Sequence, residues 1–240
     1  MANHLDLEEQ EQLDQLKHFW AQWGNLITGV LIVVLAAFAG WNFYQKWQRD
    51  QATAASAMFD SVLDAARAKD IAKLDRALSD MKDKFAGTTY AHQAALLAAK
   101  AYYDAGKADA AKAALTWVAD KSSDEGYQAL AKLRLAGLLV EAKGYDEALA
   151  QLSGSFPAGF EALVADRKGD VLALQGKKDA AKDEYLKAYK AFEERSEYRP
   201  LVEFKLNALG VDPKEAVAPA AAAKTNAAST AAAASPESKK

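Results

Sequence analysis

Hydrophobic and polar residues follow two different rhythms along the 240-residue chain. From Gly24 to Tyr44, in GNLITGVLIVVLAAFAGWNFY, there is no charged residue, and between Leu26 and Phe38 only Thr28 is polar. As a helix these 21 residues measure about 31 Å, which matches a hydrocarbon core of about 30 Å. From Lys46 onward apolar residues instead recur at three- and four-residue spacing, the period of helices with one buried face. The first rhythm predicts a membrane span and the second an all-α soluble region tethered to it.

The flanks agree with a span. His18, Trp20 and Trp23 precede it, and Trp41, Tyr44, Lys46, Trp47 and Arg49 close it, the amphipathic types favoured at headgroup depth. A cleaved signal peptide competes, because Ala37-Phe38-Ala39 resembles a cleavage site. Such a peptide opens on a short basic region, whereas Asp6, Glu8, Glu9, Glu11 and Asp14 here face a single Lys17. A buried core helix would show a polar face, and this stretch has none. In the leader, Leu13, Leu16, Trp20 and Trp23 share one helical face, either the interfacial start of the span or a docking face for a membrane partner. Lys17 before the span against Lys46 and Arg49 after it leans toward a cytoplasmic C-terminal side.

Beyond the span, Lys46 to Ala68 reads as a helix leaving the membrane, with Met58, Phe59, Val62 and Leu63 as its stripe. Ile71, Leu74, Leu78, Met81 and Phe85 predict a second helix, ended by Gly87. Three segments then align: AKAYYDAGKADAA, GLLVEAKGYDEAL and GDVLALQGKKDAA. Each places a small residue seven positions before a glycine, as in Ala99 with Gly106, Gly137 with Gly144 and Gly169 with Gly176, the glycines lying 38 and 32 residues apart. The small residue admits a close neighbour and the glycine ends the helix. Tyr102, Val140 and Leu172 are expected in one shared core, and Ala181, Tyr185 and Ala188 continue it. This is the tetratricopeptide pattern of helical hairpins stacked into a solenoid. Ser122 to Glu125 offers a Ser-x-x-Glu capping box. Phe156 and Phe160 are expected to seal the Gly154 to Gly159 break, and a last helix runs from about Glu197 to Leu209. From Pro213 the composition becomes Ala, Pro, Lys, Ser and Thr, which predicts a disordered tail. The expected divisions are thus 1–23 leader, 24–44 span, 45–87 linker helix and first hairpin, 88–212 repeats and 213–240 tail.

Composition narrows the function. The chain has no cysteine, so disulfides, thiolate metal sites and cysteine nucleophiles are excluded. With 30 basic and 33 acidic residues the net charge is -3, and no global field points to nucleic acid. No HExxH, glycine-rich phosphate loop or Gly-x-Ser-x-Gly occurs, and His92, alone at the start of a repeat helix, reads as a surface or cap residue. No enzyme, metal or cofactor is expected; an enzyme with an unrecognised site is the third reading. Mapping the repeats onto a solenoid turns Gln93, Leu96, Lys100, Tyr103, Arg134, Leu138, Glu141, Asp166 and Asp170 toward the concave side, a candidate protein-binding face. Its competitor is plain solvated surface or packing between repeats.

Three stretches also carry a resemblance: EEQEQLDQLKHFWAQWGN before the span, GWNFYQKWQRDQATAASAMF after it and ALVADRKGDVLALQGKKDAAKDEYLKAY in the third unit. Over about Glu8 to Leu209 the chain resembles the YfgM-like ancillary subunits of the bacterial SecYEG translocon. Ala165-Asp166 and Gly169-Asp170 stand where the family has them, while Arg167 replaces an expected apolar residue. The resemblance implies a single-pass inner-membrane protein with a cytoplasmic leader and a periplasmic repeat domain, against the weak charge count. It also implies partners: the translocon, a membrane-anchored periplasmic chaperone of the prolyl-isomerase type, and secretory client chains. A scaffold for another envelope assembly, such as a pilus or secretin system, shares every physical feature and differs only in partner.

Overall fold

The structure, a computed structural model, describes residues 7–217. Among the described residues it is all helical: α1 (Leu7–Arg67), α2 (Ile71–Phe85), α3 (Thr89–Asp104), α4 (Ala108–Lys121), α5 (Glu125–Glu141), α6 (Tyr145–Gln151), α7 (Ala158–Leu174), α8 (Lys178–Ala191), α9 (Arg199–Ala208) and α10 (Pro213–Val217). The chain divides into two units between Ala57 and Met58.

The first unit is the long part of α1. Every side chain from Leu26 to Phe43 is exposed, so this is no core helix, and it is the one helix among the described residues long and apolar enough to cross a membrane. An apolar surface of that length is stable only when lipid or protein covers it. Trp20 lies over Gly24, where a Cβ would stand 3.2 Å from the indole. At the other end Tyr44 and Trp47 stack with centroids 6.2 Å apart, and Gln48 donates to the Tyr44 hydroxyl at 2.9 Å. Both ends therefore present ordered aromatic anchors.

The second unit is built from one turn used five times. Helices α1, α3, α5, α7 and α9 each end at a residue with positive φ: Lys69, Gly106, Lys143, Gly176 and Gly210. In each turn the next amide donates five residues back, from Asp70 to Ala65, Lys107 to Tyr102, Gly144 to Leu139, Lys177 to Leu172 and Val211 to Leu206, at 2.8–3.0 Å. This is the Schellman arrangement, which satisfies carbonyls that a helix end would otherwise leave orphaned. The turns lie 37, 37, 33 and 34 residues apart. The glycine alignment of the sequence is therefore displaced by one residue in the second of the three aligned repeats, because Lys143 takes the left-handed position and Gly144 follows it.

That displacement corrects two expectations. The buried small residue of the second repeat is Ala136, not Gly137, and its core position is Leu139, not Val140, which is only half-buried. Gly137 has no heavy atom within 4 Å of where a Cβ would point. In the third unit the expectation meets the structure directly: a Cβ on Gly169 would come 2.5 Å from the Tyr185 ring. Tyr185, Ala181 and Ala188 are buried together there with Tyr189, Val202 and Leu206.

Side chains cap the starts of α2, α3 and α5. Asp70 accepts from the Lys73 amide at 3.0 Å, which holds its carboxyl below the usual range, and Thr88 accepts from Ala91. Asp124 accepts from Gly126 and Tyr127 at 2.8 and 3.0 Å, so Asp124 caps α5, and the expected capping box from Ser122 to Glu125 is not formed. Ser122 is instead buried, its hydroxyl bonded to the Asp124 backbone. The tail expected from 213 starts as helix: Pro213 is buried and Lys214 pairs with Glu203 at 2.9 Å. Its remainder, 218–240, lies outside the described residues.

Glycine substitutions separate the two small-residue positions. Gly169→Ala forces a methyl into the Tyr185 ring, and overpacking of this kind costs about 1–3 kcal/mol. Gly137→Ala meets open space inside a helix and gains about 0.5–1 kcal/mol. Thermal unfolding of the full chain in detergent, followed by circular dichroism, will show the first melting earlier and the second later than the unaltered protein.

Candidate functional site

The residues expected on one concave face divide into three groups. Lys100 and Tyr103 on α3, with Arg134, Leu138 and Glu141 on α5, come together around one groove of about 370 Å³. The grouping follows from helix geometry: positions 100 and 103, and positions 134, 138 and 141, each lie three or four residues apart and share a face. Leu115 of α4 and Ala99 supply further apolar floor, and Gly137, absent from the sequence reading of this face, lines it too. Its missing side chain leaves the groove open beside Leu138.

Polar groups at the rim are partly spoken for. Tyr103 donates its hydroxyl to Glu141 at 2.7 Å, tying α3 to α5, and this hydrogen bond raises the phenol pKa, so the group stays a donor at neutral pH. Lys100 pairs with Asp104 at 2.7 Å along its own helix. Arg134 is exposed, and no ion pair joins it to an acid among the described residues. The groove thus offers an apolar floor, one exposed aromatic ring and one uncommitted guanidinium, the side-chain types that most often anchor protein interfaces.

Gln93 and Leu96 sit on α3 but outside this groove. Leu96 is buried in the core, a correction to its expected concave exposure, because it shares one face of α3 with the buried His92 and Ala99. Gln93 is half-buried and donates to the Tyr127 hydroxyl at 2.7 Å, a second tie between α3 and α5. Next to it His92 is also a correction: it is buried, 2 % exposed, against Trp117 at 5.5 Å and Tyr127 at 6.2 Å between centroids. Burial lowers its pKa, opposed by the Asp124 carboxylate, so the imidazole is neutral at pH 7.

Asp166 and Asp170 belong to a different construction. Asp166 is wholly buried, which corrects its placement on the concave surface, and it accepts from Lys205 at 2.7 and 2.8 Å and from the Tyr198 hydroxyl at 2.9 Å. Asp170 lies 2.7 Å from the same ammonium, accepts from Tyr185 at 2.8 Å and pairs with Arg167 at 3.4 Å. Two carboxylates and two cations balance, and Arg167, which stands where the family resemblance implied an apolar residue, is the fourth member. Burial beside Asp166 pushes the Tyr198 hydroxyl up to about 12. The network pins α9 onto α7 and α8. Sequence reasoning missed it because Lys205 and Tyr198 stand 39 and 32 residues from Asp166.

A buried pair broken from one side leaves an uncompensated charge, at a cost of about 3–5 kcal/mol. Lys205→Met should therefore lower the urea midpoint sharply, and adding Asp166→Asn should restore part of the loss. An unchanged midpoint for Lys205→Met, read by tryptophan fluorescence, would show that the network does not hold α9.

Comparison with known proteins places this architecture. Residues 17–211 match the family model of the tetratricopeptide repeat-like domain. An ancillary SecYEG translocon subunit of Neisseria gonorrhoeae is 34% identical over 210 residues, 87% of this chain and 100% of that protein. Subunits of the same name from Escherichia coli and Haemophilus influenzae are 30% and 29% identical, over 72% and 76% of this chain and 84% and 89% of their own. No solved structure gives a significant match. The single apolar helix, the five-turn hairpin array and these relatives together establish that the chain belongs to the tetratricopeptide repeat-like family that includes the ancillary SecYEG translocon subunits.

Proposed function

We propose that the protein is a membrane-tethered scaffold of the Sec translocon, single-pass in the inner membrane, that binds protein partners through the groove between α3 and α5. The observation that carries this reading is that groove: an apolar floor with Tyr103 and the uncommitted Arg134 at its rim, on a domain anchored by one apolar helix. The names of the relatives supply the translocon as the assembly. Residues 1–23 are proposed to be cytoplasmic, 24–44 to lie in the bilayer, and the chain from 45 onward to lie in the periplasm. There the groove would engage a membrane-anchored chaperone of the prolyl-isomerase type and assist chains leaving the translocon. The proposed role is binding and hand-over, without catalysis.

Affinity purification of the full chain in mild detergent, read by mass spectrometry, tests the assembly. SecY and an envelope chaperone should co-purify, and Tyr103→Ala with Arg134→Ala should reduce recovery of at least the chaperone. Both side chains are exposed, so losing the Tyr103–Glu141 hydrogen bond should cost only about 1 kcal/mol, and the helical circular dichroism at room temperature should be unchanged. Recovery of pilus or secretin components without SecY would overturn the reading.

Orientation is tested separately. The native chain has no cysteine, so a single cysteine at Ser56 reports cleanly. It should react with an impermeant maleimide in intact spheroplasts, and protection there with labelling at Ala2 would reverse the proposed topology.

A further inference from the structure

Two kinds of turn alternate along the repeat domain. Those inside hairpins are closed by backbone hydrogen bonds around a left-handed residue, which no change of pH in the neutral range touches. The turns that join α2 to α3 and α4 to α5 are held by side chains instead. Thr88 bonds to Phe85 and Ala91 in the first; in the second, Ser122 bonds to Asp124 and Gln128 donates to the Ser122 carbonyl at 2.6 Å.

His92 stands where these two turns meet, with the Ala86 carbonyl on one side and Ser122 on the other. Its Nδ1 lies 3.4 Å from the Ser122 hydroxyl, whose hydrogen is directed to the Asp124 carbonyl at 3.2 Å. Nδ1 is therefore the protonated nitrogen, and Nε2 carries a lone pair. Nε2 is buried and has no hydrogen-bond partner among the described residues. The ring packs on Trp117 of α4 and Tyr127 of α5, and the Lys82 ammonium of α2 lies 5.0 Å from the centre of the Trp117 ring, so one cluster joins four helices.

A neutral imidazole suits this position, because one unpaired lone pair is a small loss. Protonation turns Nε2 into a charged N–H without an acceptor, and a buried charge left unpaired is far more unfavourable. The surroundings do not supply the missing partner. The charged groups facing the cluster are Lys82, a like charge, and Asp124, whose carboxylate already accepts from the Gly126 and Tyr127 amides. Tyr127 is the titratable side chain on α5, and its hydroxyl is bonded to Gln93; α4 presents the indole of Trp117, which does not titrate. Burial lowers the imidazole pKa and outweighs the opposing Asp124 carboxylate and Ala86 carbonyl.

We propose that His92 is an acid-sensitive latch in the joint between the α3–α4 and α5–α6 hairpins. Neutral, it seats α3 against α4 and α5. Protonated, it leaves its pocket, loosens the Ser122 turn and releases the Gln93 to Tyr127 hydrogen bond, while the Tyr103 to Glu141 bond holds the other ends of α3 and α5 together. The joint then pivots and does not separate. Linkage sets the direction. The open joint binds the proton and the closed one does not, so closure is unaffected above about pH 6.5, the value of a free imidazole, and weakens as pH falls below it. One proton changes the equilibrium by at most about tenfold per pH unit, until the closed form itself is protonated.

Two measurements on the full chain in detergent test the latch. With histidine carrying carbon-13 at Cε1, an NMR titration should place the His92 midpoint well below about 6.5, its signal being assigned by its absence in His92→Phe. Amide exchange read by mass spectrometry, corrected for the intrinsic pH dependence of exchange, should show protection over 88–96 and 122–130 falling roughly three- to tenfold from about pH 6.5 to 5.5, while α8 keeps its protection. His92→Phe should abolish that loss, and His92→Gln, which cannot titrate but keeps a polar group for Ser122, should abolish it even if phenylalanine disturbs the packing. A midpoint at or above about 6.5 overturns the proposal. So does an equal acid-induced loss of protection in the non-titrating variants, or a depressed midpoint with protection unchanged. None of these results bears on co-purification with the translocon, which decides the wider function separately.

Discussion

The left-handed residue at the end of each first helix is the constraint from which the repeat domain follows. It reverses the chain within two residues and closes a hydrogen bond five residues back, so the direction and rotation of the next helix are fixed at once. Glycine adopts that conformation freely, but lysine does so at positions 69 and 143, at a cost of about 1–2 kcal/mol each. Two such residues persist because the surrounding packing holds them. Ala65 and Val62 before the first, and Leu139 and Ala136 before the second, are buried in register with Tyr102 and Ala99.

Given those turns, what differs between hairpins is how each closes against its neighbour. The third does so by contact between Gly169 and the face of Tyr185, and by the ionic network that brings in α9. The second has only the seven residues of α6 for its return helix, and its exit at Gly154 to Gly159 is covered in part by the Phe156 ring under Lys132 at 5.6 Å. The first is linked to the second by two phenols, Tyr103 to Glu141 and Tyr127 to Gln93. Polar ties of this kind across a solenoid fix rotation between hairpins, which apolar contact alone leaves loose.

Much of this was legible from spacing. The apolar run required α1, and the helical period of Ile71 to Phe85 marks α2 residue for residue. The periodic glycines revealed a repeat, since periodicity survives local error. What spacing did not reveal was register in the second unit, where a lysine occupies the turn and the nearest glycine lies one residue on. One residue is 100° of helix, enough to move Gly137 from core to groove and to bring Leu139 inward. Asp166 looked like a surface acid because sequence does not reveal a cation 39 residues away. His92 looked like a cap because its partners, Trp117 and Tyr127, come from two other helices.

The corrected register also explains why the groove ends where it does. Taking Lys143 and Gly176 as equivalent, Arg134 corresponds to Arg167 and Gly137 to Asp170. In the third unit the arginine pairs with the aspartate three residues on, and that aspartate is held in turn by Tyr185 and Lys205. The face is closed by its own charges. In the second unit the aspartate's place is taken by a glycine, so the same arginine has no partner on its helix and the space beside it stays open. A single difference between equivalent positions, aspartate against glycine, thus turns one hairpin into a seal for α9 and leaves the other with a cleft and an unmatched charge. The first is a structural use of the repeat, and the second is the form that a binding site requires.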